Sequence, residues 1–360
     1  MLAALLALQS LVSLRDGRRF LAFVRRSQET SPREYSPFTS VIIPCKGIDA
    51  DLETNLACFL AQDCPAYQVV FVVANENDPA WRFLSEHLNR RAGGGPKTSL
   101  VVAGYADDPG GKVNNLLRGL VAVEPAAEVL MFADIDARPG RDWLRSLVAP
   151  LADSQVTVST GFRWYLPGAN FASQLRTAWD TSVATLLGDH DHNFAWGGSM
   201  AIRAADFRRL QIAERYWAHT VSDDYSLTRA VREAGGRIRF EPRCLVASRE
   251  ESSFADFLRW SNRQIIITRV YAPHLWRLGL ASHLLYCLTF LFGLGLLVCP
   301  APTLLARAAI AARYWQLAPL VPWVMLYNFL VAGFTRRIEW QGTHYEPGSR
   351  DEFRVLRRDG

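Results

Sequence analysis

Val129-Leu130-Met131-Phe132-Ala133-Asp134-Ile135-Asp136 decides how this chain is read. The first five residues have the length and unbroken apolar character of a strand covered on both faces. Two carboxylates then stand where that strand should end. At the carboxyl edge of a buried sheet such a pair can share one divalent cation through hard oxygen ligands. Mg2+ or Mn2+ held by one or two carboxylates fills the rest of its shell with water and substrate phosphates. The bland alternative is a solvated strand-to-helix turn, where two acids need no ligand. Local sequence leaves both readings open.

Working outward, residues 39–43 and 69–74 read as strands and 52–61 and 80–91 as helices, and 99–103, 112–122 and 129–133 continue the alternation. This order predicts an α/β fold, a Rossmann-like and mainly parallel sheet sandwiched by helices. Ligands of such sheets bind at the carboxyl ends of the strands. The loops expected there are Pro44-Cys45-Lys46-Gly47, Asn75-Glu76-Asn77-Asp78, Asp107-Asp108-Pro109-Gly110-Gly111 and Asp134-Ile135-Asp136. Polar, turn-forming residues thus gather on one edge, the candidate nucleotide site. Lys112, Asn114 and Asn115 follow the glycine pair. An ammonium and amides at a helix start suit a diphosphate or a ribose, and suit water equally. The GxxxxGK[ST] spacing of phosphate-binding NTPase loops is absent.

Farther along, 156–160 reads as a strand and 171–187 as a helix, and Phe194-Ala195-Trp196-Gly197-Gly198-Ser199 as a loop into a strand at 200–203. Gly197-Gly198 either turns the chain or lets backbone approach a sugar or phosphate, because no Cβ is in the way. A helix at 223–234 is closed by Gly235-Gly236. Asp223-Asp224 opens it, either as acids favoured by the helix dipole or as a general base for a hydroxyl nucleophile. Residues 254–270 make a basic amphipathic helix. On it, Arg259-Trp260 is either a snorkelling Arg beside an interfacial Trp, or an Arg facing a departing diphosphate with a Trp closing over the acceptor. His190-Asp191-His192 has no third separated ligand and is weak ground for zinc.

The length, 360 residues, allows one large domain with appendages. None of the six Cys forms a CxxC pair, which fits a reducing compartment with buried thiols. The net charge is +5, and Arg is concentrated at Arg15, Arg18, Arg19, Arg25 and Arg26 after an apolar start, and at Arg336 and Arg337 after the last apolar run. Such flanks fit the cytosolic side of a membrane protein rather than a nucleic-acid stripe. Residues 1–14 would make a helix of roughly 21 Å, short of the ~30 Å hydrocarbon core, and read as a shallow or tilted anchor. Residues 278–299 are uncharged and long enough to span, and 317–334 just long enough. Between them, 303–315 carries Arg307 and Arg313 and reads as interfacial or re-entrant. The expected organisation is an anchor and basic linker at 1–37, a catalytic domain at 38–253, an amphipathic interfacial region at 254–277, a transmembrane region of two spans at 278–335, and a tail at 336–360. The protein is then an integral membrane protein whose catalytic domain and tail face the cytoplasm.

Together these segments resemble the ceramide glucosyltransferases and their bacterial relatives, among the inverting enzymes of the GT-A fold (families 2 and 21). The residues that carry the resemblance are Lys46-Gly47-Ile48-Asp49 with Asn55-Leu56, Asn75-Glu76-Asn77-Asp78 with Pro79-Ala80, and Lys112-Val113-Asn114-Asn115-Leu116. They continue with Gly161-Phe162-Arg163-Trp164-Tyr165-Leu166-Pro167-Gly168, Gly197-Gly198-Ser199-Met200, Asp223-Asp224-Tyr225, and Ile338-Glu339-Trp340-Gln341-Gly342 with Tyr345. The resemblance runs from residue 39 to 271 and resumes in that tail.

It implies a GT-A domain with C-terminal transmembrane helices, moving a hexose from a UDP-sugar (UDP-glucose first) to a membrane lipid hydroxyl (ceramide-like first). Hopanoid, glycerolipid or processive polysaccharide synthesis are alternatives, and a non-catalytic nucleotide-binding membrane scaffold is the competing reading from another class. Position by position, Asp134 and Asp136 would carry Mg2+ or Mn2+ and Asp224 would be the base. Pro44, Lys46, Asn77, Asp78, Lys112, Asn115, Asp134, Gly197 and Gly198 would contact the donor, Asp78 near the uracil. Arg259 and Trp260 match the end of the family's Q/RxxRW motif, whose first position is Asp256 here. The implied partners are the donor, the lipid acceptor and the bilayer, with no nucleic acid.

Overall fold

The computed structural model describes residues 2–30, 34–91, 95–166, 168–248, 251–298 and 320–358, and it falls into two compact units. The larger comprises Phe20–Trp164, Leu187–Ser248 and Glu339–Gly360.

Its centre is a seven-stranded sheet of β1 Thr39–Cys45, β2 Tyr67–Val73, β3 Lys97–Val102, β4 Val129–Ala133, β5 Val156–Tyr165, β6 Ser199–Arg203 and β7 Arg237–Ser248, in the order β3-β2-β1-β4-β6-β5-β7. The first four are parallel, with Val41 opposite both Val69 and Met131. β6 runs antiparallel to β4 and to β5. The sheet is therefore mixed, parallel where the alternation of strand and helix was legible.

Alternate residues of the central strands feed two cores. Val41, Ile43, Val69, Phe71 and Met131 pack with Leu84, Leu147 and Trp143 on one face. Ile42, Val70, Val72 and Phe132 pack with Trp217, Leu227 and Val231 on the other. Every residue of β2 and β4 is buried, as the unbroken apolar runs require. The tail adds a separate sheet of β8 Ile338–Trp340, β9 Thr343–Pro347 and β10 Phe353–Arg358, ordered β10-β9-β8. Gln341 and Gly342 both take positive φ (50° and 71°), giving the two-residue turn that twisted hairpins favour.

The second unit comprises Met1–Arg19, Tyr165–Leu186 and Arg249–Ile338, and its described residues are mainly helical. Asn328, fully buried on the helix Leu320–Phe334, joins three helices by polar bonds in an otherwise apolar setting. It accepts from Trp179 Nε1 at 3.2 Å, and its Nδ2 donates to Asn262 Oδ1 at 2.7 Å and to Ser261 Oγ at 3.1 Å.

One helix, Leu2–Glu29, runs through the expected anchor and on into the basic linker. Good helix formers continue without Pro or Gly-rich interruption to that point, and Phe20 and Phe23 bury against Phe240. The two expected C-terminal spans, 278–299 and 317–334, each run into residues outside those described, and among the described residues no helix is long and apolar enough to cross a membrane. The expected interfacial segment at 303–315 lies outside the described residues.

Candidate active site

The acid pair stands at the end of β4. Asp136 is bound by both guanidinium nitrogens of Arg163, NH1 to Oδ2 at 2.8 Å and NH2 to Oδ1 at 2.5 Å. The same NH2 reaches Asp134 Oδ2 at 3.2 Å. Asp134 Oδ1 is 2.9 Å from Lys112 Nζ, and that ammonium is 3.3 Å from Asp223 Oδ2. One lysine thus ties the end of β4 to the start of the helix Asp223–Glu233.

Lys112 is the second residue of the helix Gly111–Gly119, whose start fits its surroundings closely. A Cβ on Gly110 would meet Val221 at 3.0 Å, and one on Gly111 would meet Tyr345 Oη at 3.2 Å. Glycines here admit Val221 on one side and the tail's Tyr345, which accepts from Gly111 N at 3.0 Å, on the other. Burial alone would lower the Lys112 pKa, but Asp134, then Asp223 and Asp224, outweigh it and keep the ammonium charged. For Asp223, 2 % exposed, burial pushes the carboxyl up to about 6 with help from Asp224 and Asp134, against the pull of Lys112.

Asp224 occupies the first turn of its helix. Ser222, the N-cap, donates to Asp224 Oδ1 at 2.5 Å, and Tyr225 N donates to the same oxygen at 2.7 Å. Asp224 Oδ2 receives only a long bond among these, from Gly197 N at 3.3 Å. One carboxylate oxygen is therefore fixed by its own helix, and the other faces the glycine loop. Thr228 Oγ1, one turn on, accepts from Ala195 N at 2.9 Å and holds that loop against the helix.

The glycine pair is needed for close approach. A Cβ on Gly198 would lie 2.7 Å from Asp134 Oδ2 and 2.3 Å from the Trp196 ring, and one on Gly197 would collide with Asp223. The close neighbours of the pair are thus the chain's own carboxylates.

The remaining expected donor residues lie on neighbouring strand ends. Asp78, buried, accepts from Gly47 N at 2.8 Å and Ala80 N at 2.9 Å through one oxygen, joining the loops after β1 and β2. Pro44 is half-buried opposite Val72, and Asn77 is exposed. Lys46, also exposed, donates to the Gln341 carbonyl of the tail. Asn115 is buried with its Oδ1 lacking a hydrogen-bond partner, an acceptor suited to a ligand hydroxyl.

Arg259 and Trp260 belong to the second unit. Arg259 is exposed and pairs with Asp256, which is also bonded to the N-cap Ser253. The Ser253 hydroxyl, and then Arg259, hold the Asp256 carboxyl below the usual range, so this departure from the motif caps the helix and grips Arg259. Trp260 packs on Arg176, 4.7 Å from ring centroid to guanidinium carbon, and edge-on to Trp179 and Tyr165.

Sequence reasoning missed Arg163 as a site residue, although it lies in a segment that carried the resemblance. It singled out Asp224 of the helix-opening pair as the base and gave Asp223 no role of its own, where the structure places a buried Asp223 beside a half-buried Asp224.

Among the described residues no group of three or more His, Cys, Asp or Glu gathers as a cage for a metal ion. The oxygens of Asp134 and Asp136 nevertheless suit Mg2+ or Mn2+, which such pairs hold together with water and substrate phosphates.

A family model described as Glycosyl transferase family 21 matches residues 3–351. Among solved structures, a mannosyltransferase from Pyrobaculum calidifontis, in complex with GDP-Man and Mn2+, aligns at a TM-score of 0.57 and 17% identity over 93% of this chain and 99% of that one. GalNAc-T7 with UDP, GalNAc and Mn2+ aligns at 0.46 and 14% identity over 61% of this chain and 45% of that chain. The first likeness is one of fold, a GT-A-like α/β domain.

Proposed function

The chain belongs to glycosyl transferase family 21 and is a glycosyltransferase, and we propose that it moves a hexose from a UDP-sugar, UDP-glucose first, to the hydroxyl of a membrane lipid such as ceramide. The observation that carries this reading is the junction at Lys112, where the acids of β4 and of the Asp223–Glu233 helix meet one buried ammonium.

The chemistry follows from the charges. Asp224 Oδ2 takes the proton of the acceptor hydroxyl as its oxygen attacks the anomeric carbon, within the reach that general-base catalysis needs. The bond to the departing UDP breaks on the opposite side, so an α-linked donor yields a β-glycoside. Lys112 places a permanent positive charge where negative charge develops on the leaving diphosphate. Asp134 and Asp136 would hold Mg2+ or Mn2+, which supplies further charge compensation to that diphosphate. Asn115 Oδ1 accepts from a donor hydroxyl.

A lipid acceptor is supported by the surface of the second unit. Leu8, Leu11, Leu278, Leu288, Leu291 and Phe334 are all more than half exposed there, an apolar display unusual for a protein meeting only water. Arg15, Arg18 and Arg19 share that unit and suit an anionic cytoplasmic leaflet. Attachment to the bilayer surface would bring the enzyme to an acceptor that does not leave it.

The test is UDP release from UDP-glucose with ceramide in vesicles, comparing wild type with Asp224→Asn. Near-normal turnover by the folded variant would reject Asp224 as the base. Sugar label found in insoluble polymer rather than in the chloroform phase would reject the lipid acceptor. UDP binding with no transfer to any of a broad panel of lipids would favour the scaffold.

A further inference from the structure

All four oxygens of Asp134 and Asp136 already face cationic nitrogens. Lys112 takes Asp134 Oδ1, and Arg163 takes the other three at 2.5 to 3.2 Å. Arg163 is no surface straggler: its side chain is 9% exposed and its guanidinium lies 5.4 Å over the Trp196 ring. A divalent ion sits about 2.1 Å from its carboxylate oxygens. Placed between these two carboxylates, it would occupy the volume the guanidinium fills.

We propose that Arg163 is a stand-in cation for the carboxylate pair, exchanged for the divalent ion only when a nucleoside diphosphate arrives to receive the guanidinium. The inference rests on the donor reading given above. A planar guanidinium pairs with phosphate oxygens in the same two-pronged manner as with a carboxylate, so the exchange trades one bidentate partner for another. The Trp196 face keeps the cation attracted during the move. Lys112 stays, because Asp223 holds it from the far side. The consequence is coupling: ion and nucleotide bind together, and the bare ion competes poorly with an arginine tethered beside its ligands.

The experiment titrates Mn2+ into the full chain with and without UDP, reading free Mn2+ by electron paramagnetic resonance. In wild type, UDP should tighten Mn2+ binding roughly tenfold or more, the usual range for coupled sites. Arg163→Gln should bind Mn2+ without UDP roughly tenfold tighter than wild type, with the coupling to UDP largely lost. Arg163→Lys keeps a charge on a shorter, one-pronged group and should fall between. It carries the same comparison if the Gln variant does not fold, as judged by thermal melting. Unchanged or weaker UDP-free Mn2+ affinity in the folded variants would overturn the inference. Mn2+ that binds with UDP but ignores position 163 would overturn it alone, whereas no Mn2+ binding even with UDP would overturn the donor reading with it.

Discussion

Gly197 backs onto the Asp223 carboxylate so closely that a Cβ there would lie 2.3 Å from Asp223 Oδ2, and 2.9 Å from Lys112 Nζ. Asp223 is buried and ion-paired, so the loop has to give way instead. Gly197→Ala should shift the loop whose N–H meets Asp224, and lower transfer by about a hundredfold, the usual effect of misplacing a reacting group by an ångström. Gly235 is the control. It has φ +68° with open space around it, so Gly235→Ala should cost about 1 kcal/mol of stability and leave turnover intact. Melting curves and UDP release measured on both variants separate the two outcomes.

Asp223 makes stability depend on pH in a defined direction. Its carboxyl stands at about 6 rather than 3.8, through burial first, with Asp224 and Asp134 adding to it and Lys112 opposing. The folded protein therefore holds this proton more tightly than the unfolded chain does. That contribution is complete below the unfolded value and is lost as pH rises through about 6. Lys112, held above 10.5, keeps its contribution across the whole of this window. Melting temperatures of wild type should fall across it relative to Asp223→Asn, whose profile should be flatter. Parallel profiles would contradict the assignment.

What the sequence could and could not reveal follows from how far apart the partners lie. The strand at Val129–Ala133 and the helix from Asp223 are written in local pattern, an apolar run in one case and acids after Ser222 in the other. The helix from Leu2 runs on past Arg15 because Arg is a good helix former, although charge alone marks that stretch as a change of character. Arg163 leaves no local trace of its role, because it reaches Asp136 from β5, across the intervening β6. The glycine pair left a turn and a close approach equally open, and Asp223 and Asp134 as its neighbours come from distant segments that only the fold brings there.

Trp260 should matter for stability before chemistry. Its ring and that of Tyr165, edge-on to each other, both contact the buried guanidinium of Arg176, 4.7 Å and 4.1 Å from its carbon, while Arg176 donates to Tyr165 Oη and Ser252 Oγ at 2.7 Å each. Trp260→Leu removes one of those two aromatic contacts, a loss of about 2 kcal/mol for a desolvated cation–π contact. Trp260→Phe keeps an aromatic face and should recover most of it. A lower melting temperature in the first and recovery in the second would place the residue in the packing of the helical unit. Unchanged melting in Trp260→Leu, with lost turnover, would return it to the reaction.

Tyr345 offers the most direct test of whether the tail belongs to the working protein. Its ring is 4% exposed and packs edge-on to Phe353, and its hydroxyl is the acceptor for Gly111 N, one residue before Lys112. Tyr345→Phe keeps the ring and deletes the acceptor, at a cost of about 1 kcal/mol. Because the lost bond anchors the helix that aims Lys112, the effect should fall on donor binding: a several-fold rise in KM for the UDP-sugar, with a smaller change in kcat. Gly111→Ala crowds the same hydroxyl from the other side. The two substitutions should therefore not add, with a coupling of about 0.5 kcal/mol or more in a double-mutant cycle on kcat/KM. Strict additivity, or a fall in kcat with KM unchanged, would mean that the hydroxyl does not position Lys112 for the donor.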